Sequence, residues 1–307
     1  MRTGQAFFVV LALGAGVAAC GGESTPDTKT PVATTTPPAD SAVAATPPPA
    51  EKKAPPPVVE DMKPSDDPTP LPSVKITSPK NDASVGDLAK AKDFEVKLDV
   101  KDWATVEGGP HVHLILDGLP YKPIYDTAKP VKLSELLMGT ELAEGEHTLV
   151  AFASRATHES VKGAGAQALV TFWVGKKGKA AFDPKKPHLV YSRPKGENKG
   201  SMAQELLLDF YLFGTKLDNG EKVKYSITGG GLEAPLTGEF TTWAPKIAKH
   251  LPKGDYEVTV ELVDKDGKAF EGPLTKTTRK GIKLDPEGVA DMGHGGAHGA
   301  PAAPEKK

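Results

Sequence analysis

The sequence is poor in cysteine: Cys20 is the only one among 307 residues. A single thiol can form neither an intramolecular disulfide nor a cysteine-rich metal site, so both are excluded. An excess of charge of one sign is also missing, because 38 basic residues stand against 40 acidic ones and no polybasic block occurs. We therefore expect no nucleic-acid partner.

Catalytic motifs are missing as well. The sequence contains no Gly-x-Ser-x-Gly elbow, no phosphate-binding Gly-Lys-Ser/Thr loop and no His-Glu-x-x-His zinc motif, each of which places a nucleophile, a phosphate or a metal by a known geometry. We therefore expect a protein that is not an enzyme.

One long apolar run is present, near the start of the chain. Residues 6–15 follow Arg2 and have the length of the apolar core of a signal peptide, too short for a membrane-spanning helix. Directly after this run, Val17-Ala-Ala-Cys20 resembles the lipobox of bacterial lipoproteins. The resemblance implies that residues 1–19 are a lipoprotein signal peptide and that Cys20 carries the lipid.

Such a lipid would hold the protein on a membrane, which is then its first partner. Several acyl chains on one residue make a stable anchor, whereas a single chain binds only marginally. Gly21 and Gly22 leave no aspartate after Cys20. By the same resemblance we expect a location in the cell envelope, at the outer membrane.

Both ends of the mature chain have compositions typical of disorder. Residues 20–72 are rich in Pro, Thr and Ala and cannot bury enough apolar surface to offset their conformational entropy. We predict a disordered stalk there, reaching at most on the order of 150 Å as a polyproline II chain. Residues 287–307, rich in Gly, His and Ala, are predicted to be a disordered tail.

Between these ends, short runs alternate apolar and polar residues and are broken by Gly, Pro, Asn and Asp. Alternation with period two predicts β-strands, and six or seven strands in roughly 100 residues are typical of an immunoglobulin-like sandwich. We predict an all-β fold with two immunoglobulin-like β-sandwich domains, 73–175 and 187–286. Both resemble the immunoglobulin-like modules of bacterial surface proteins.

The most informative local motif is Pro110-His-Val-His-Leu-Ile-Leu116. In a strand, His111 and His113 share one face, with Cβ atoms about 7 Å apart. The other face, which we expect to be turned to the core, carries Val112, Leu114 and Leu116. Two imidazoles at this spacing can bind one copper or zinc ion if a neighbour supplies a third ligand. The candidates for that third ligand are Asp117, Glu146, His147 and His158.

The simpler interpretation, which the sequence alone favours, is structural: the two outward-facing histidines are exposed or hydrogen-bonded and steady the end of a strand. The motif also resembles the His-x-His strands of periplasmic β-sandwich proteins, some of which bind copper. A second histidine pair, His294 and His298, lies beside Met292. Imidazole and thioether suit copper, but a disordered tail describes this segment more simply.

Two functions follow as hypotheses. The first is a lipid-anchored envelope lipoprotein whose sandwiches bind an unknown envelope protein or glycan without catalysis. The alternative is a periplasmic copper- or zinc-binding protein that uses the strand of His111 and His113. Fold-level analogy supports the first only by association.

Overall fold

A computed structural model describes residues 54–289, and these residues form an almost entirely β structure. The first group of strands spans 73–174 and forms one sandwich, sandwich 1. Its strands are β2 (Ser73–Ser78), β3 (Ala83–Ser84), β4 (Glu95–Lys101), β5 (His111–Leu116), β6 (Lys122–Ile124), β7 (Val131–Lys132), β8 (Gly145–Ser154) and β9 (Gln167–Val174). Two short helices accompany them, α1 (Leu88–Ala91) and a 3₁₀ helix (Leu133–Leu136).

The second group spans 188–285, together with one strand from before sandwich 1, and forms sandwich 2. Its strands are β1 (Val58–Asp61), β10 (His188–Arg193), β11 (Glu197–Lys199), β12 (Glu205–Phe213), β13 (Lys222–Gly229), β14 (Leu236–Phe240), β15 (Lys246–Lys249), β16 (Gly254–Val263) and β17 (Lys276–Asp285). The short helix α2 (Ser201–Gln204) precedes β12. The prediction of an all-β, immunoglobulin-like sandwich fold is confirmed.

Each sandwich has two sheets. In sandwich 1 the strand orders are β2-β4-β7 and β3-β9-β8-β5-β6; in sandwich 2 they are β1-β15-β12-β10 and β11-β17-β16-β13-β14. All pairings are antiparallel except β3 with β9 and β11 with β17. The sheets of each sandwich enclose a separate apolar core of mostly aliphatic residues, as alternation along the strands requires.

Strand β1 corrects the predicted extent of the stalk. It lies within 20–72, which composition predicts to be disordered, yet it pairs with β15 from Val58 opposite Lys249 to Asp61 opposite Lys246. Two β-branched residues and two acids make this short run different from the proline-rich sequence around it. The acids form ion pairs with the lysines of β15, and Val59 packs against the core of sandwich 2.

The two sandwiches contact each other through a third apolar cluster, the interface cluster. It joins one face of the β5–β8 sheet to one face of the β10–β12 sheet. Its buried members are Ile115, Tyr121, Val150, Phe152, Val190 and Tyr211. Two sheets are therefore covered on both faces, which explains why every residue of β5 and every residue of β10 is buried.

Candidate metal centre

The motif residues lie on β5 as its alternation predicts. Val112 and Leu114 enter the core of sandwich 1, and His111 and His113 lie on the opposite face. The structural interpretation allowed exposed or hydrogen-bonded imidazoles: exposure is wrong, because sandwich 2 covers that face, whereas both rings are hydrogen-bonded. His111 is 1% exposed and His113 is fully buried.

His158 completes a group of three histidines. The Nε2 atoms of His111 and His113 lie 3.0 Å apart, and His158 Nδ1 lies 3.2 Å from His111 Nε2. One ring nitrogen from each residue lies within 4.8 Å of the other two. Of the four candidates for a third ligand, His158 is the one that joins the pair.

Each ring of the β5 pair is also held at its other nitrogen. His111 Nδ1 is 2.8 Å from the Gly109 carbonyl oxygen, which can only accept, so Nδ1 carries the proton and Nε2 offers its lone pair to the cluster. His113 Nδ1 lies 3.1 Å from Ser192 Oγ of β10. Such outer hydrogen bonds fix the tautomer and orientation of histidines that bind metals.

Ser192 reaches His113 because β10 contains a bulge. In its pairing with β12, Tyr191 is opposite Phe210 but Arg193 is opposite Asp209, so Ser192 is an extra residue. A bulge changes where side chains point. Here Ser192 and Arg193, although consecutive, both contact sandwich 1: Arg193 Nη1 donates to the Tyr121 hydroxyl at 3.3 Å.

The turn that carries His158 is anchored on both sides. His158 has a φ of 67°, in the left-handed region that non-glycine residues rarely adopt. Glu159 accepts hydrogen bonds from the backbone and side chain of Ser65. The amide of Ser160 donates to the buried Asp209 of sandwich 2 at 3.0 Å. These hydrogen bonds hold the turn in place from both sides.

Tyr121 forms one wall of the cluster. Its ring stacks on His113 with 3.5 Å between centroids and 9° between planes. Its hydroxyl lies 3.3 Å from His158 Nδ1. Burial raises the pKa of Tyr121, although Arg193 opposes this, so the phenol stays protonated at neutral pH.

The electrostatics keep His113 uncharged at neutral pH. Burial lowers the pKa of His113 well below its usual value, and the charges of His111, His158, Lys195 and Arg193 lower it further. A neutral imidazole is the form that binds a metal ion. His113 is therefore ready to act as a ligand without first losing a proton at neutral pH.

The donor set fits copper or zinc. Three neutral imidazoles are common ligands of both ions, whereas calcium and magnesium require oxygen ligands. A tetrahedral ion with bonds of about 2.0–2.1 Å would place its ligand atoms about 3.3 Å apart. The two nitrogen spacings that involve His111, 3.0 and 3.2 Å, need only a few tenths of an ångström of adjustment, and the spacing between His113 and His158 is within 4.8 Å.

A cavity of about 350 Å³ adjoins the cluster at His158 and Tyr121. Sandwich 2 contributes Arg193 and Lys195 to its wall. The sequence did not predict four of the residues around the cluster: Tyr121, Ser192, Arg193 and Lys195. They come from elements far apart in the chain, and no local pattern indicates that the sandwiches meet there.

The other candidate ligands lie elsewhere. His147 Nδ1 is 2.6 Å from Asp117 Oδ2, and His147 Nε2 is 3.0 Å from the Ala143 carbonyl oxygen. Burial works to lower the pKa of His147, but the hydrogen bond and charge of Asp117 and the Ala143 carbonyl raise it on balance. Glu146 accepts hydrogen bonds from two backbone amides, those of Ala181 and Phe182.

Three predicted site residues, Cys20, His294 and His298, lie outside the described residues. Within 54–289, no helix has the length and apolar character needed to cross a bilayer.

No protein-family model and no curated protein matches the chain. Among solved structures, the tandem V-type regions of the chitin-binding protein VCBP3 align with 70% of this chain and 99% of their own, at 8% identity and a TM-score of 0.23. The β-glucuronidase of Parabacteroides merdae aligns with 68% of this chain at 12% identity and a TM-score of 0.22, and the chain spans 24% of that enzyme.

Proposed function

We propose that this protein is a cell-envelope metal-binding protein that holds copper or zinc through His111, His113 and His158. The observation that carries the proposal is the convergence of three ring nitrogens within 4.8 Å. Two independent features support it. The two β5 rings are oriented by outer hydrogen bonds, and the turn of His158 is anchored to another strand.

In this proposal the ion supplies Lewis acidity and ligand exchange, and the chain supplies binding and orientation. Gly109 and Ser192 orient the rings of His111 and His113. Sandwich 2 excludes water from the β5 side of the site. We retain the prediction that the protein carries out no catalysis.

The test is metal titration of the full-length, chelator-treated protein with Zn²⁺ and, under reducing conditions, Cu⁺. His158→Asn removes one ligand but keeps a residue type that tolerates the left-handed conformation. His250→Asn is the matched control, because His250 is exposed and also has a positive φ, 60°. We expect His158→Asn to lose most of the affinity for one equivalent of metal and His250→Asn to retain it.

The terminal histidines need their own variant, His294→Ala with His298→Ala. If the tail is the metal site, this variant loses binding and His158→Asn does not, which contradicts the proposal. Circular dichroism of each variant shows whether the fold is intact. His111→Ala with His113→Ala provides a second loss-of-binding variant.

The location belongs to the proposal through Cys20. We propose that this residue is lipidated and that the membrane is a partner through that anchor. Mass spectrometry of the protein made in its native host tests this: diacylglyceryl-modified Cys20 at the mature amino terminus is expected, and an unmodified thiol behind an uncleaved leader would contradict it. Binding of an envelope protein or glycan stays a prediction.

A further inference from the structure

The cavity beside the histidine cluster contains more positive than negative charge. Its wall includes Arg193, Lys195 and Lys199. Glu197 is the only carboxylate that lines it; this residue is exposed and pairs with Lys199 at 3.3 Å. Within residues 54–289, neither Arg193 nor Lys195 forms an ion pair with a carboxylate.

Arg193 is buried, with 6% of its surface exposed. Its Nη1 donates to Tyr121 and its Nη2 donates to Asn198 Oδ1 at 2.8 Å, but its Nε has no hydrogen-bond partner. A buried guanidinium without a carboxylate partner is costly. An anion in the cavity would offset this cost, because guanidinium groups attract carboxylates and phosphates strongly.

Lys195 adds a second cation to the same wall. Its Nζ donates to the Tyr121 carbonyl oxygen at 2.9 Å and lies 3.8 Å from the centroid of the Tyr121 ring. Burial, together with the charges of Arg193, Arg279 and Lys122, lowers the pKa of Lys195 to about 8. A negative ligand in the cavity would stabilise this ammonium group.

We propose that this cavity is a binding site for a small oxyanion, a molecule that presents a carboxylate or phosphate group to Arg193 and Lys195. The lining supports this assignment. Tyr121 and Tyr125 supply aromatic surface for the rest of the molecule, and a volume of about 350 Å³ is within the range of small-ligand pockets. The site goes beyond the metal centre, because the two cations need an anion whether or not a metal is bound.

The experiment measures anion binding to the full-length protein after metal has been removed with a chelator and the chelator has been dialysed away, so that failure of the metal proposal does not affect it. Inorganic phosphate and malonate are the two probes, each titrated calorimetrically at constant ionic strength in chloride. Lys195→Met keeps the apolar stem and removes the charge. Lys265→Met is the matched control, because Lys265 is exposed and far along the chain from the cavity.

We expect at least one probe to bind, Lys195→Met to weaken binding tenfold or more, and Lys265→Met to leave it unchanged. The preferred probe identifies whether the ligand group is phosphate or carboxylate. Equal binding by wild type and Lys195→Met, or no binding of either probe, would overturn the proposal.

A second readout does not depend on a variant. Acetylation of lysines in the wild-type protein is followed by peptide mass spectrometry at pH 8, with and without the probe. A bound anion should slow acetylation of Lys195 several-fold and leave Lys265 unaffected. The proposal fails if both lysines are slowed equally.

Discussion

At the scale of single residues, the outer hydrogen bonds of the proposed metal centre make a specific prediction. Ser192→Ala removes the partner of His113 Nδ1 but none of the three proposed ligands. Loss of such an orienting group typically lowers metal affinity by about 10–100-fold. We expect this loss in a competition titration against a chelator.

Ser226→Ala is the control for that experiment, since Ser226 lies on β13 and outside the interface cluster. Equal metal affinities of Ser192→Ala and wild type would show that His113 does not depend on Ser192. An equal fall in both variants would point to a general effect on stability.

The pair of His147 and Asp117 predicts a pH dependence. A histidine whose pKa is raised in the folded state contributes stability that is fully present below its unfolded pKa, about 6.5, and is lost as the pH rises through its folded pKa. Asp117→Asn keeps a residue that tolerates the left-handed backbone at this position and removes the charge. We expect it to cost about 1 kcal/mol at pH 6, a modest value because the Asp117 side chain is 37% exposed.

Chemical denaturation at pH 6 and pH 9 checks this expectation, and the cost should be smaller at pH 9. NMR titration should place the pKa of His147 above 6.5 in wild type and lower in the variant. A cost independent of pH, or an unchanged His147 titration, would contradict this account of the pair.

The sequence predicted part of the candidate site at this scale. Period-two alternation correctly placed the β5 histidines on the face opposite Val112 and Leu114. His158 was among four candidates, but proximity depends on the turn after β8, which has no pattern of its own. The burial of His111 and His113 could not be predicted, because it comes from the second sandwich and not from β5.

At the scale of secondary-structure elements, β1 is the strand that the composition of the sequence did not predict. Proline-rich sequence around it predicts disorder, and a four-residue run has too few residues to show alternation. What makes it a strand is the edge of β15, which offers backbone partners and two lysines. The fold was thus predictable for long alternating strands and not for a short edge strand.

Val59→Ala tests whether β1 belongs to sandwich 2. Val59 packs against that core, so we expect the substitution to lower the free energy of unfolding by about 1 kcal/mol. Val58→Ala, with an equally half-buried residue outside the core cluster, should cost less. Urea denaturation compares the two, and equal effects would argue against the packing of Val59.

At the scale of the whole molecule, the interface cluster joins the two sandwiches, and its member Tyr121 lies beside both the three histidines and the cavity. Phe152 is fully buried in it and stacks on Tyr211 with 4.9 Å between centroids. Phe152→Ala should cost about 3–5 kcal/mol. Because the lost contacts lie between the sandwiches, we also expect thermal unfolding to separate from one transition into two.

Calorimetry measures both effects. Val96→Ala, inside the core of sandwich 1, is the control and should lower stability without separating the transitions. If Phe152→Ala leaves a single transition at an unchanged temperature, the interface cluster does not couple the sandwiches.

The three-histidine centre is tested most directly by X-ray diffraction from metal-loaded crystals at the absorption edge of copper or zinc. We predict one anomalous peak bonded to His111 Nε2, His113 Nε2 and His158 Nδ1, at about 2.0–2.1 Å from each nitrogen. Anomalous peaks only at other residues, or no peak at all in loaded crystals, would contradict the proposal that these three histidines bind the metal.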